Sequence, residues 1–253
     1  MTKGFFFVIS AMGLIHFFCL PSVYADRPLS TEEAFTVEKG QFKLETGFEF
    51  ARQDNHDREI NPSVTLTYGL LENVDIGVGS SYLFARPKEG ENENGIGDTE
   101  IELKYQALGE KTWMPAFAVS GSLKVPTASD AKGLGSGKAD FGINAIFSKE
   151  LSNRFLLHLN VGYAFIGERG ADNEMNYSGA VQFILSDKWT VAGEIVGVNN
   201  FNGAKRDDPV SGLIGATYLV TDQLVWDAGV EIGMSKAAPD YRITTGLTYL
   251  FKP

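Results

Sequence analysis

Gly95-Ile96-Gly97-Asp98-Thr99-Glu100-Ile101-Glu102-Leu103-Lys104-Tyr105 alternates with a period of two. Asp98, Glu100, Glu102 and Lys104 point one way, and Thr99, Ile101, Leu103 and Tyr105 the other. That is a β-strand with one apolar face and one charged face. An acidic loop, Glu89 to Asn94, precedes it and the turn Gly109-Glu110-Lys111-Thr112 follows. The fold depends on which solvent each face meets.

The same alternation extends in both directions. Upstream, Phe42 to Phe50 sets Phe42, Leu44, Thr46, Phe48 and Phe50 against Lys43, Glu45, Gly47 and Glu49. Ile60 to Tyr68 and Val74 to Phe84 repeat it, the latter with Asp75 on the polar face. Downstream come Ala116 to Val125 (Lys124 polar), Lys138 to Phe147 (Lys138 and Asp140 polar), Phe155 to Phe165 and Tyr177 to Leu185. Trp189 to Val198 is ambiguous, because both of its faces are apolar or small. Val210 to Val220, Leu224 to Met234 (Asp227 and Glu231 polar) and Tyr241 to Phe251 (Arg242 polar) complete the set. This predicts about twelve strands, each long enough to cross a bilayer at barrel tilt.

The connections are sorted as well. Every second one is longer or more polar: Arg52–Glu59, Pro87–Gly97, Pro126–Gly137, Gly167–Glu174, Asn199–Pro209 and Ser235–Asp240. The alternate ones are mostly tight, such as Leu71–Asn73 and Thr221–Gln223. Short periplasmic turns and longer external loops are the pattern of an outer-membrane barrel; a soluble sandwich has no reason to sort its loops in this way.

The chain opens with Met1-Thr2-Lys3 and an apolar run from Phe5 to Leu20, then Val23-Tyr24-Ala25. This reads as a secretory signal peptide, residues 1–25, cut before Asp26. A retained spanning helix is the competing reading, and the apolar core is short for one. Cys19, the sole cysteine, falls within it, and Phe18 stands where lipoprotein signals carry a small residue. The mature chain is therefore expected to lack disulfides. Removing Lys3 leaves 21 basic residues against 32 acidic ones, a net charge of −11. Such a surface argues against nucleic acid as a partner. Residues 26–39 are polar, lack alternation and are expected to form an N-terminal periplasmic extension folded over one mouth, with the barrel spanning 40–253.

Alternation alone does not separate a membrane barrel from a soluble one turned inside out. Aromatic residues near strand ends on the apolar face (Phe42, Phe50, Tyr68, Phe84, Phe147, Phe165, Trp189, Trp226 and Tyr241 among them) match interfacial girdles. The polar faces, rich in Gly, Ser, Thr and charges of both signs, suit a wet lumen. An even strand number allows closure, which lipid demands of backbone groups. The fold class expected is thus all-β, a transmembrane up-and-down antiparallel barrel in a bacterial outer membrane.

Catalytic and metal readings are weak. Apart from His16 in the signal segment, the histidines are His56 and His158. His158 shares a face with Asn160, on the lumenal side, whereas a lipid hydrolase such as outer-membrane phospholipase A would need its nucleophile and base facing lipid. Gly133-Leu134-Gly135-Ser136-Gly137-Lys138 lacks phosphate-loop spacing, with Lys132 in the first glycine's place and Ala139 replacing Ser/Thr. Glu89–Glu93 and Asp207-Asp208 lack calcium-loop spacing. No enzyme activity, cofactor or metal is expected.

What remains is the charged lumen: Lys43, Glu45, Glu49, Asp75, Asp98, Glu100, Glu102, Lys104, Lys124, Lys138, Asp140, Asp227, Glu231 and Arg242, nine carboxylates against five cations. Buried charges pair or stay wet. The set can be a salt-bridge filler or the lining of a conduit. Twelve strands fall between the eight that side chains fill and the sixteen that leave an open channel, so a narrow pore is expected.

Arg27–Ala34, the Gly40–Glu49 strand, Leu66-Thr67-Tyr68-Gly69, Gly95–Tyr105, Leu123-Lys124-Val125-Pro126-Thr127, Gly135–Asp140 and Gly246–Phe251 together resemble the bacterial family labelled "putative MetA-pathway of phenol degradation". The resemblance covers nearly all the mature chain and rests on strand and loop patterns. It implies a transporter-like barrel for uptake of small compounds, aromatic or hydrophobic ones included. One departure is the tail, where Lys252-Pro253 follow the closing aromatic Phe251. The expected function is passive passage of small solutes, and the rival is a non-conducting structural or surface-interaction barrel. Expected partners are outer-membrane lipid, the barrel-assembly machinery and a small-molecule solute.

Overall fold

The structure, a computed structural model, describes residues 26–53, 57–88, 90–201 and 208–253. The predicted signal peptide, His56, Glu89 and Asp207 lie outside the described residues.

Thirteen strand segments follow one another: β1 (Phe42–Arg52), β2 (Arg58–Leu71), β3 (Val74–Arg86), β4 (Glu93–Ile96), β5 (Thr99–Leu108), β6 (Ala116–Val125) and β7 (Asp140–Ser152). They continue as β8 (Phe155–Phe165), β9 (Glu174–Ile184), β10 (Trp189–Asn199), β11 (Val210–Thr221), β12 (Leu224–Gly233) and β13 (Tyr241–Phe251). All pair antiparallel with sequence neighbours, and β1 also pairs with β13, Phe42 opposite Phe251 and Arg52 opposite Tyr241. The sheet thus closes on itself, so no edge is left for lipid to desolvate. No helix among the described residues is long and apolar enough to cross a membrane, and the crossing is made by strands.

The opening stretch forms two segments rather than one strand. β4 pairs with Tyr82–Ala85 and β5 with Val74–Gly79, both on β3, and Gly97-Asp98 interrupts them. The reason is a competing set of partners from the β6–β7 loop. Asp98 Oδ1 accepts the Ala128 N–H at 2.9 Å and Gly97 O accepts the Thr127 hydroxyl at 3.0 Å. β4 and β5 together act as one stave, so the barrel has twelve.

Side-chain direction follows the predicted parity. On β5, Ile101, Leu103 and Tyr105 are exposed on the outer surface, while Lys104 between them is buried. Aromatic rings pair on that outer surface in two belts, mostly across strands and, for Tyr82–Phe84, along β3. One belt sits at the end carrying the short turns, with Phe42–Tyr68, Phe117–Phe147, Phe155–Phe183 and Trp189–Tyr218 at 4.7–4.9 Å between ring centres. The other, at the end carrying the long loops, includes Tyr82–Phe84, Phe141–Phe165 and Phe50–Tyr241. An apolar band between two aromatic girdles is the lipid-facing surface of an outer-membrane barrel.

Candidate functional site

The lumen does not hold water throughout. Residues 26–41 contain neither helix nor strand; most of them run inside the barrel as an irregular plug, and 36–41 cross its short-turn mouth, where Thr36 bonds Glu72 O and Glu38 pairs with Lys252. Their buried backbone groups therefore need partners from the wall. The wall supplies them: Ser30 N–H and Thr31 N–H donate to Glu194 of β10, Ala34 N–H to Ser148 Oγ of β7 (2.8 Å), and Val37 N–H to both oxygens of Asp75 on β3. Lys104 Nζ on β5 donates to Glu33 O at 3.3 Å.

Side chains fix the plug in the same way. Arg27 Nε stands 3.4 Å from Asp227 Oδ2 on β12, and its Nη2 donates to Thr244 Oγ1 of β13 at 2.6 Å. Lys43 of β1 pairs with Asp26 and, at 3.2 Å, with Glu45. Gln182 donates to Glu33 Oε1 and Asn144 to Glu32 Oε1. Apolar plug residues find apolar sockets: Leu29 packs with Ala180, Ala192 and Leu213, and Ala34 and Phe35 with Ala116, Ala118 and Ile146. Glycines make room, since an added Cβ at Gly215 would sit 2.5 Å from Pro28 Cγ and one at Gly229 3.3 Å from Pro28 Cβ.

Most of these sockets lie in the half of the lumen nearer the short turns. Beyond the plug, toward the loops, is a cavity of about 540 Å³ with Ser30 and Glu32 among its lining residues.

The predicted lumenal charges divide between these halves. Lys43, Glu45, Asp75, Lys104 and Asp227 surround the plug. Glu100, Glu102, Lys124, Asp140 and Arg242 line the cavity. Asp98 and Asp140 both hold Lys124, and Glu231 and Glu49 both hold Arg242, at 3.0 and 4.0 Å. Lys138 is not brought into the wall. β7 starts only at Asp140, and Lys138 is exposed on the preceding loop, where its N–H and carbonyl both bond Ser136 Oγ.

Sequence reasoning missed Glu194, Ser148, Gln182, Thr244 and the plug's own residues. The signal for Glu194 was a carboxylate alone on an otherwise apolar inner face of β10. It also missed Ser148 as the partner of His158: the two are directly opposite across β7 and β8, with Ser148 Oγ and His158 Nδ1 2.8 Å apart. Both are fully buried, and His158 Nε2 faces Glu33 at 4.0 Å.

Burial raises the Glu33 carboxyl from the usual 4.5 to about 8, with the Asp26 charge adding to it. Burial acts on Asp26 in the same sense, but Lys43 and Lys104 outweigh it and hold Asp26 well below the usual carboxylate range. The plug thus carries a neutral acid beside an ionised one at neutral pH.

Solved structures of similar architecture are outer-membrane barrels. The COG4313 outer membrane channel from Pseudomonas putida F1 matches with a TM-score of 0.67 at 13% identity, over 86% of this chain and 98% of that one. The NanC porin matches at 0.58 and 10% identity, over 82% and 98%, and the KdgM porin at 0.57 and 12%, over 82% and 99%. These likenesses establish a shared fold. No curated protein matches the chain. At the level of sequence, residues 25–251 match the family described as "Putative MetA-pathway of phenol degradation", and the chain belongs to that family.

Proposed function

We propose that the protein is a passive outer-membrane channel for small solutes, gated by residues 26–39. The observation that carries this is the division of the lumen: an irregular segment held by side-chain sockets in one half and a solvent-sized cavity in the other. A segment without ladder hydrogen bonds can leave by exchanging its partners for water, whereas a strand cannot do so without opening the barrel. Short turns are periplasmic in such barrels, so the gate withdraws toward the periplasm, and 26–39 is the periplasmic extension in its inserted position.

A disulfide lock tests this. Pro28 and Gly229 are placed so that their Cβ atoms would lie about 3.3 Å apart, close to the roughly 3.5–4.5 Å of disulfides. Full-length protein carrying Pro28→Cys and Gly229→Cys should conduct in planar bilayers after reduction and fall silent after oxidation. Equal conductance in both states refutes the gate. Silence in both states, and in the wild type, favours the non-conducting structural barrel.

We read the barrel as non-enzymatic. Ser148 and His158, with Glu33 of the plug, resemble a serine–histidine–acid set, but Ser148 and His158 are buried beneath the plug, and Ser148 Oγ is engaged by the Ala34 N–H. The arrangement serves as a socket. Purified protein should hydrolyse phospholipid no faster than its His158→Ala variant.

A further inference from the structure

The outer surface of the barrel holds a group of residues that neither the lumen nor the gate uses. Arg52 ends β1, Arg58 begins β2 and Arg86 ends β3, so all three stand at the end carrying the long loops. Arg52 is directly opposite Arg58, and Arg58 is directly opposite Arg86. Residues so opposed keep their Cβ atoms within roughly 5.5 Å. The period of two places the three on the outward face with Phe48, Val64 and Tyr82, which are exposed.

Side-chain contacts agree with that placement. The Arg86 guanidinium lies 5.6 Å from the centre of the Phe84 ring, and Phe84 packs on Tyr82 in the loop-side aromatic belt. Arg86 Nη1 donates to the carbonyls of Ala85 and Glu93. Among the described residues, none of the three arginines has an ion pair. Of the flanking carboxylates, Asp57 accepts the Lys88 N–H, Glu93 pairs with Lys132, and Glu59 falls on the inward parity.

Like charges directly opposite one another are unfavourable in a sheet, and the chain is acidic overall, with a formal net charge of −10. Three guanidinium groups in register therefore call for an anion from outside the chain. The surface beneath them sets its kind. In the next two rows toward the middle of the barrel, Phe50, Ile60 and Phe84 are followed by Phe48, Pro62 and Tyr82. A ligand that suits both zones has a negatively charged head and an apolar body. Elsewhere on this rim the strands present Val125, Phe141, Phe165, Met175 and Tyr241 outward, so the basic row is confined to β1–β3.

We infer that Arg52, Arg58 and Arg86 form a docking site for the phosphorylated headgroup of lipid A, the glycolipid of the outer leaflet, whose acyl chains lie along Phe50, Ile60 and Phe84. Long loops mark the external end of such barrels, which puts the row at the headgroup level of that leaflet. The planar fork of a guanidinium binds phosphate oxygens two at a time. None of this requires the lumen to conduct, so the inference stands or falls apart from the gated channel.

The test is native mass spectrometry of the full-length protein in detergent with three probes: diphosphoryl lipid A, the same lipid with both phosphates removed, and inorganic phosphate. The wild type should retain diphosphoryl lipid A about tenfold or more over the dephosphorylated lipid, the size of effect that one charge-assisted hydrogen bond supplies. Arg52→Gln with Arg58→Gln and Arg86→Gln should remove that preference. Arg58→Lys, which keeps the charge and loses the fork, should fall between the two. Arg154→Gln, at the turn end of the barrel, should bind as the wild type does. Heat-dependent gel mobility identifies the folded variants. If the triple variant does not fold, the three single Gln variants decide, each of which should retain less diphosphoryl lipid A than the wild type.

Equal retention of the phosphorylated and dephosphorylated lipids overturns the inference, as do folded arginine variants that bind like the wild type. Displacement of lipid A by millimolar inorganic phosphate would make the row a site for free anions and the lipid assignment wrong. An equal loss in Arg154→Gln would reduce the binding to general electrostatic attraction and overturn the site as well.

Discussion

The two halves of the lumen are built from the same strands and the same residue types, yet they use charge in opposite ways. Near the turns, Asp227 is fully buried and faces a single cation, Arg27, while Lys43 is clasped by Asp26 and Glu45. Near the loops, Glu100 is exposed and has no ion pair among the described residues. A carboxylate in the first environment is part of a lock, because removing its partner strands a charge away from water. On the proposed channel reading, a carboxylate in the second tunes the potential felt by whatever passes. Lumenal charge in a barrel is therefore not one property, and a list of inward-facing acids and bases mixes two functions.

Removing one acid from each half should break the symmetry most visibly. Asp227→Ala leaves Arg27 without its ion pair, and loss of one partner of a buried pair costs roughly 3–5 kcal/mol. The plug should be released for much of the time, with open probability raised more than a hundredfold and gel mobility still that of a folded barrel. An unchanged open probability would mean that the ion pair does not hold the gate.

Titration sharpens the contrast. Glu33 faces Asp26 and Lys43 from the plug and β1, Lys104 from β5, His158 from β8 and Gln182 from β9. Its seated pKa of about 8 exceeds the 4.5 it regains in water. Seating therefore takes up a proton and is favoured fully below 4.5. That contribution fades as the pH rises from 4.5 through about 8. Open probability should climb across this window, and Glu33→Gln should flatten the climb. A wild-type profile already flat between these limits would remove Glu33 from the gate.

The smallest effect belongs to the cavity. Glu100→Gln should leave the stability of the barrel and the open probability nearly untouched, within about 0.5 kcal/mol as for exposed sites. Thermal loss of the folded gel band should occur at the wild-type temperature. A marked drop would show that Glu100 is part of the lock after all.

The strands were legible because lipid on one side and a polar lumen on the other force a strict period of two, and the turn-and-loop sorting gave their order. The plug was not, since an irregular segment has no period and its partners lie far away in sequence: Asp75 for Val37, Ser148 for Ala34, Thr244 for Arg27. It left a trace on β10. β10 looked ambiguous because Ala192 on its inner face had to be apolar to receive Leu29. The break at Gly97-Asp98 and the exclusion of Lys138 from β7 escaped for a related reason. Both depend on bonds made by the β6–β7 loop, where Thr127, Ala128 and Ser136 take up groups that alternation assigns to a ladder.

The space left by Gly215 has a genetic meaning. A methyl group there would sit 2.5 Å from Pro28 Cγ and 3.1 Å from Ala228 O, so while the plug is seated the wall is pressed from inside. Once the plug is gone, the first of those conflicts disappears. Gly215→Ala should therefore interact non-additively with any lesion that already empties the lumen, the second mutation adding less than it does alone. The plug leaves its imprint on the wall as a pattern of epistasis, and crosses between wall and plug alleles can report how often the lumen is occupied in living cells.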